Sequence, residues 1–205
     1  MKNLTLLEIY NNNWDASIPG NNDKGSNHSY IEIYERLLSP YRDTNCKVLE
    51  IGVAQGYSLR MWNQYFNKNC KVQGIDWEKG NLCDNTLDIT YGDSKDANLW
   101  TNWNNFDIII DDGDHSNQGQ AATLEVWLPK LNKNGLYIIE DVSLYNLNRY
   151  GENWGIVLQK INCLDYVIDI LDMRNIKQRY DNVLLVFSKQ GLDSTEGTKV
   201  VNDSN

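Results

Sequence analysis

The chain has 205 residues, with 28 acidic and 19 basic side chains and a formal net charge of −9. This surplus of carboxylates argues against nucleic acid as a partner, because nucleic-acid affinity comes largely from Lys and Arg that neutralise phosphates. No apolar run approaches the roughly 20 residues that cross a bilayer, and the N-terminus has no signal-peptide cleavage pattern. We therefore expect a cytoplasmic protein that binds neither nucleic acid nor membrane, with homo-oligomerisation left open.

Residues 1–45 precede the first predicted strand, and we expect a separate helical segment that packs on the sheet or covers the acceptor side of the site. Ser29 and Glu32 fit a capping box at the start of a helix. An apolar stripe follows in that helix, and Pro40 ends it. The stripe consists of Ile33, Tyr34, Leu37 and Leu38.

Apolar runs and amphipathic stretches alternate from residue 46 onward, which is typical of βαβ units. The last two strands are separated by too few residues for a crossover helix, so we expect an antiparallel hairpin there. The predicted fold is α/β, with a Rossmann-like, seven-stranded, mostly parallel sheet and helices on both faces. The predicted strands cover residues 46–52, 71–76, 87–93, 106–112, 135–142, 166–173 and 182–189, and the predicted helices cover residues 57–66, 97–103, 118–131 and 153–163.

The sheet and its helices form one predicted domain, residues 46–190, followed by a polar tail, residues 191–205, that we expect to be mobile. The four cysteines, Cys46, Cys70, Cys83 and Cys163, include no CxxC pair and no Cys/His cluster with the spacing of a zinc site. We therefore expect reduced, buried thiols.

Polar residues and glycines follow the first three strands, where a parallel sheet binds its ligand. Gly52 and Gly56 permit a tight turn beside a helix N-terminus. An acidic side chain at the end of the second strand, Asp76, can accept hydrogen bonds from ribose hydroxyls, and Asp93 or Ser94 can meet an adenine amino group. The loop lacks the dinucleotide fingerprint GxGxxG, so the pattern favours a nucleoside without a pyrophosphate.

Three carboxylates follow the fourth and fifth strands. Asp112 ends one strand, and Glu140 and Asp141 end its neighbour. Clustered carboxylates repel unless a cation or a shared proton holds them, and oxygen ligands suit Mg²⁺, Mn²⁺ or Ca²⁺. Glu140 and Asp141 are adjacent, so both can reach one metal ion only if the strand has already ended. His115, three residues after Asp112, is a candidate general base.

These motifs, VLEIGVAQGYS, GID, GDS, FDIIIDDGDHS and GLYIIEDV, resemble those of class I S-adenosylmethionine-dependent methyltransferases. More narrowly, the chain resembles the metal-dependent macrolide and sugar O-methyltransferases, a group related to the so-called cephalosporin hydroxylases. The resemblance includes the upstream segment Asp23-Lys24-Gly25-Ser26 with His28 and Tyr30. It implies S-adenosylmethionine and Mg²⁺ as cofactors, with His115 and Asp112 as catalytic residues. The candidate donor-binding residues are Glu50, Gly52, Gln55, Gly56, Tyr57, Ser58, Asp76, Trp77, Asp93, Ser94 and Asp111.

The predicted reaction is methyl transfer to a sugar hydroxyl, on a free or nucleotide-linked sugar, a glycan or a glycosylated natural product. Asp112, Glu140 and Asp141 would hold the cation, His115 would accept the proton, and a vicinal diol would chelate the metal. Candidate acceptor contacts are His28, Tyr30, Arg149 and Tyr150. Three alternatives remain open: a catechol-like acceptor, a nicotinamide-dependent oxidoreductase, and a non-catalytic nucleoside-binding module.

Overall fold

The computed structural model describes residues 4–13, 22–143, 166–192 and 198–199. In this part of the chain no helix has the length and apolar character needed to span a bilayer. The strands are β1 (Lys47–Ile51), β2 (Lys71–Asp76), β3 (Ile89–Tyr91), β4 (Phe106–Asp111), β5 (Leu131–Ile139), β6 (Val167–Asp172), β7 (Val183–Ser188) and β8 (Thr198–Lys199). The α-helices are α1 (Leu6–Asn13), α2 (Asp23–Ser26), α3 (Ile31–Leu38), α4 (Tyr57–Tyr65), α5 (Asn117–Trp127) and α6 (Arg174–Lys177).

The strands form one sheet in the order β3-β2-β1-β4-β5-β7-β6-β8. Strands β1 to β5 pair in parallel, and β7 lies antiparallel between β5 and β6. The predicted fold class, a mostly parallel sheet with a C-terminal antiparallel hairpin, is confirmed. The two-residue strand β8 pairs with β6 inside the segment predicted as a tail. The strand order reverses at β1, because β2 pairs on one side of it and β4 on the other. An open parallel sheet binds its ligand at such a reversal point.

Apolar side chains of the central strands pack on both faces of the sheet. Val48 and Ile108 belong to one core cluster, together with residues of α1, α3 and α4. Their strand neighbours Leu49 and Ile109 belong to the other cluster, together with residues of α5. All four are completely buried, as expected for parallel strands covered by helices on both sides. The N-terminal helices therefore share a core with the sheet.

The predicted capping box of α3 is wrong. The residue that precedes the helix is Tyr30, and no side chain caps the helix there. Ser29 instead exchanges hydrogen bonds with Asn182: its N–H donates to Asn182 Oδ1 (3.0 Å), and Asn182 Nδ2 lies 3.3 Å from Ser29 Oγ. A tertiary contact across the fold thus replaces the local cap. As predicted, the helix ends before Pro40: its last residue is Leu38, and a 3₁₀ turn at Ser39–Tyr41 follows.

The helix predicted over residues 97–103 is also wrong, since this segment forms consecutive turns. Asp93 and Asp96 each accept a hydrogen bond from the backbone N–H two residues further on. Such local side-chain contacts offer the backbone an alternative to a helix. The next predicted helix, 118–131, ends earlier, at Trp127, because a 3₁₀ turn with Pro129 follows. The helix predicted over residues 153–163 lies outside the described residues.

The expectation of reduced thiols is wrong for one pair, because Cys46 and Cys70 form a disulfide. Their Cα atoms are 4.6 Å apart, within the range that a disulfide bridges. Each cysteine directly precedes a strand, and the parallel register that pairs Lys47 with Lys71 brings them together. Cys83 is a free thiol, and Cys163 lies outside the described residues.

Candidate active site

A cavity of about 810 Å³ opens at the carboxyl ends of β1, β2 and β4. Residues from two predicted groups line it. The candidate donor-binding residues in its wall are Gly52, Gln55, Asp76, Trp77, Asp93 and Ser94. Asp112, His115 and Asp141 line the same cavity. A bound nucleoside and the proposed reacting groups can therefore share one space.

The other candidate donor-binding residues are not among those lining this cavity. Glu50 and Asp111 are buried behind its wall. Gly56 precedes α4 with φ +84°, and a Cβ there would meet the side chain of Leu87. Tyr57 and Ser58 lie in the first turn of α4. Contact between these five residues and a donor stays a prediction.

The loop after β1 is held tightly against neighbouring strand ends. Gly52 has φ +84°, and a Cβ there would lie 2.2 Å from the carbonyl oxygen of Asp112, so no larger residue fits. Asp76 Oδ2 accepts the backbone N–H groups of Val53 (2.8 Å) and Ala54 (2.7 Å). Asp76 therefore fixes the shape of this loop, residues 52–56, which we call the nucleoside loop, while it also lines the cavity.

One carboxylate cluster has the geometry of a cation site. Ligand atoms of Asp112, His115 and Asp141 all lie within 4.8 Å of one another. Strand β5 ends at Ile139, and Asp141 has φ +55°, so the backbone has left regular strand geometry before this side chain. Burial and the charge of Asp112 raise the pKa of Asp141 to about 7.

Glu140, the third predicted metal ligand, has different partners. Its Oε1 accepts hydrogen bonds from Lys24 Nζ (2.6 Å) and from Tyr34 Oη (2.6 Å). It does not appear in the groups of described residues that could together hold an ion. Metal ligation by Glu140 stays a prediction, and these two donors compete with it.

The sequence suggested no role for Lys24, which lies at the centre of three carboxylates. Its side chain is 1% exposed, and Nζ lies 2.8 Å from Asp112 Oδ2 and 3.6 Å from Glu50 Oε1, besides its contact with Glu140. Burial lowers the pKa of Lys24, but the negative charges of these three carboxylates outweigh that effect and hold the pKa above its usual value. The chain thus supplies an internal cation to the carboxylates. Its only sequence signal was its place in the Asp23-Lys24-Gly25-Ser26 segment.

The predicted acceptor contacts divide into two pairs. Tyr30 Oη donates a hydrogen bond to Asp141 Oδ1 (2.8 Å), and its ring stacks on His28 with centroids 4.7 Å apart. Both side chains are buried beside the carboxylate cluster. Arg149 and Tyr150 lie outside the described residues. Acceptor binding by all four residues stays a prediction.

Asp111 gives the site a pH-dependent contribution to stability. Burial raises its pKa from 3.8 to about 7, although Tyr137 Oη donates a hydrogen bond to it. The folded state then binds this proton more tightly than the unfolded chain, so its stability falls as the pH rises through that interval. We expect Asp111→Asn to remove the part of this slope that Asp111 contributes, and to stabilise the fold at about pH 8 by up to about 4 kcal/mol.

Urea unfolding of the donor-free protein in chelator, at about pH 5 and about pH 8, measures this effect. Asp43→Asn, at an exposed carboxylate, is the control and should leave the slope unchanged. Equal pH slopes for the wild-type protein and Asp111→Asn would show that Asp111 is ionised in the fold.

Comparison with known proteins gives matches to methyltransferases. Residues 49–142 match a family described as a methyltransferase domain. Demethylmacrocin O-methyltransferase of Streptomyces fradiae is 33% identical over 130 residues, which cover 58% of this chain and 33% of that protein. Mycinamicin VI 2''-O-methyltransferase of Micromonospora griseorubida is 32% identical over 127 residues, which cover 56% of this chain and 32% of that protein. The chain thus matches about a third of the length of these relatives.

Solved structures agree on the fold. The MycE methyltransferase of mycinamycin biosynthesis, in complex with Mg, S-adenosylhomocysteine (SAH) and mycinamycin VI, superposes with a TM-score of 0.63 at 23% identity. The match covers 94% of this chain and 58% of MycE. An O-methyltransferase from Bacillus cereus in complex with SAH gives a TM-score of 0.59 at 18% identity, with 92% of each chain covered. Residues 49–142 therefore match a methyltransferase domain, the described chain has the fold of these structures, and the predicted resemblance of this chain to the macrolide and sugar O-methyltransferases is confirmed.

Proposed function

We propose that this chain is an S-adenosylmethionine-dependent O-methyltransferase that methylates a sugar hydroxyl with the help of a divalent cation. The observation that carries the proposal is the shared cavity, in which the nucleoside loop and the Asp112, His115 and Asp141 cluster face one space. Another relative, 34% identical over 132 residues, is the 8-demethyl-8-alpha-L-rhamnosyl tetracenomycin-C 2'-O-methyltransferase of Streptomyces olivaceus, and the sugar in that name supports a sugar-bearing acceptor here.

The residues of the cluster fit a divalent cation. Asp112 and Asp141 offer carboxylate oxygens within 4.8 Å of each other, and hard divalent cations prefer oxygen ligands. These two residues would hold the ion. When bound, such a cation acts as a Lewis acid that lowers the pKa of a coordinated hydroxyl. Lys24 Nζ donates a hydrogen bond to Asp112 Oδ2, and as at Glu140 this donor competes with the ion for a carboxylate oxygen.

His115 is the proposed proton acceptor. Its side chain is 51% exposed, and Nδ1 lies 3.9 Å from Asp141 Oδ2. In the proposed reaction the acceptor oxygen loses its proton to His115 and forms a bond to the donor methyl carbon. The bond between that carbon and the sulfur breaks with its electrons staying on sulfur, which leaves S-adenosylhomocysteine. Gly52 and Asp76 shape the loop that would orient the donor, and alignment of reactants contributes much of the rate in such transfers.

The test is methyl transfer from labelled S-adenosylmethionine to a panel of acceptors. The panel contains free sugars, nucleotide-linked sugars, glycosylated macrolides and a catechol. We expect transfer to a sugar that is lost with EDTA, restored by Mg²⁺, and lost in Asp112→Ala. Transfer that survives both EDTA and Asp112→Ala would exclude the metal role. Transfer to the catechol alone would replace the sugar acceptor, and donor binding without any transfer would indicate a non-catalytic module.

A further inference from the structure

A second group of potential ligands lies beside the first and shares Asp141 with it. It consists of Asp23, His28 and Asp141, with one ligand atom from each within 4.8 Å of the others. Asp23 and Asp141 line the cavity, whereas His28 lies behind them and is 1% exposed. An acceptor molecule in the cavity would meet the two carboxylates, but the buried imidazole is reached only by something as small as an ion.

The imidazole of His28 is an unsatisfied polar group. Neither Nδ1 nor Nε2 has a hydrogen-bond partner among the described residues, although both atoms are buried. Nδ1 lies 3.3 Å from Asp141 Oδ1, and Nε2 lies 3.8 Å from Asp23 Oδ2. Buried polar atoms in native proteins are almost always paired with a protein group, a water molecule or an ion. A cation that binds one of these nitrogens together with both carboxylates would supply such a partner.

Asp141 connects the two groups. Its Oδ1 faces His28, and its Oδ2 faces His115 at 3.9 Å. The backbone of Asp141 is in the left-handed region with φ +55°, a conformation that costs energy for a residue other than glycine and occurs often at functional sites. Each oxygen of this carboxylate can thus serve a different cation, as in two-metal sites with a bridging carboxylate.

The surrounding contacts hold His28 in place. The ring of Tyr30 stacks on the imidazole, and its hydroxyl donates a hydrogen bond to Asp141 Oδ1. Lys177 Nζ donates hydrogen bonds to the carbonyl oxygens of Ser26 (3.0 Å) and His28 (2.8 Å), which ties the segment to α6. A ligand whose ring and backbone are both restrained loses little entropy when it binds a metal ion.

We propose that Asp23, His28 and Asp141 form a second cation site, selective for a transition metal such as Zn²⁺ over Mg²⁺. One imidazole nitrogen with two carboxylate oxygens suits Zn²⁺, whereas Mg²⁺ favours oxygen ligands and water. The site does not depend on the proposed methyl transfer. Together with the cation that Asp112 and Asp141 would hold, this site places two cations on the carboxylate of Asp141, at the wall of the cavity.

Zinc binding to the purified full chain tests the proposal in the absence of donor and acceptor. The protein is stripped with chelator, and Zn²⁺ is then titrated in excess Mg²⁺. Asp112→Asn weakens the first cluster, so the zinc that this variant retains reports on the second site. We expect Asp112→Asn to keep one tight zinc ion, with the nitrogen resonances of the His28 imidazole shifted in NMR spectra.

Adding Asp23→Asn to Asp112→Asn removes one ligand without disturbing the core, because the Asp23 side chain is 45% exposed. We expect the zinc affinity to fall by more than the roughly 10–100-fold that loss of an outer-shell partner costs. Asp181→Asn in the same background is the matched control, since it removes a nearby carboxylate that is not in the cluster, and it should keep the zinc. If Asp112→Asn binds no zinc, or if Asp23→Asn leaves both the affinity and the His28 resonances unchanged, the proposal is wrong.

Discussion

Replacing Lys24 with methionine is expected to destabilise the fold by about 3–5 kcal/mol, the usual cost of removing one partner from a buried ion pair. Lys24 Nζ lies within 2.8 Å of oxygens of Asp112 and Glu140, and Glu140 is buried. Methionine keeps most of the volume but leaves the carboxylates without their cation. Urea unfolding of the metal-free protein at neutral pH measures the loss.

The same variant should recover stability in acid. Without Lys24, the pKa of Glu140, which burial already raises, moves still further above its value in the unfolded chain. The folded state then binds a proton more tightly than the unfolded chain does, so the deficit narrows as the pH falls from about 8 to about 5. Adding Glu140→Gln to Lys24→Met should restore part of the stability at neutral pH, because a neutral amide needs no counter-charge.

Lys95→Met is the matched control for Lys24→Met. Lys95 Nζ also pairs with an aspartate, at 3.0 Å from Asp114 Oδ2, but both side chains are more than a third exposed. Exposed pairs contribute about 0–1 kcal/mol. If Lys24→Met is no less stable than Lys95→Met, the ammonium of Lys24 does not neutralise the buried carboxylates.

Replacing His115 with alanine is expected to lower kcat/KM for methyl transfer by about 10²–10⁴-fold, the usual contribution of a general base. This expectation rests on the proposed function. Because half of the His115 side chain is exposed, the fold and the affinity for donor should both persist. Steady-state rates with labelled donor give the first quantity, and calorimetry with S-adenosylhomocysteine gives the second.

Added imidazole distinguishes a missing base from a distorted site. His115 opens onto the cavity, so a free imidazole can occupy the space that alanine leaves, and part of the rate should return. Added imidazole should not restore the rate of methyl transfer by Asp112→Ala. Gln118→Ala is the control, since Gln118 is exposed three residues further along and does not line the cavity. A His115→Ala variant with wild-type rates would contradict the role of His115.

The strand-end residues were predictable because a parallel sheet brings the carboxyl ends of its strands to one edge. Asp76, Asp93 and Asp112 follow three different strands, and all of them line one cavity. Because Glu140 and Asp141 are adjacent, the sequence also predicted that both could reach one metal ion only if the strand ends before them, and β5 does end at Ile139. The sequence could not show which of these two carboxylates would bind Lys24 and Tyr34 and which would face the cavity, because that depends on the side chains packed opposite each one.

The alternation of apolar runs, the glycine turn and the acidic strand ends are local patterns. They predict the strands, the mostly parallel sheet and the resemblance to methyltransferases. Tertiary structure alone decided that Lys24 meets Asp112 and Glu140, which are 88 and 116 residues away. It likewise paired Cys46 with Cys70 and enclosed His28 between two carboxylates. Periodicity reports which face of an element is buried, whereas these contacts depend on which elements come to lie together when the core closes.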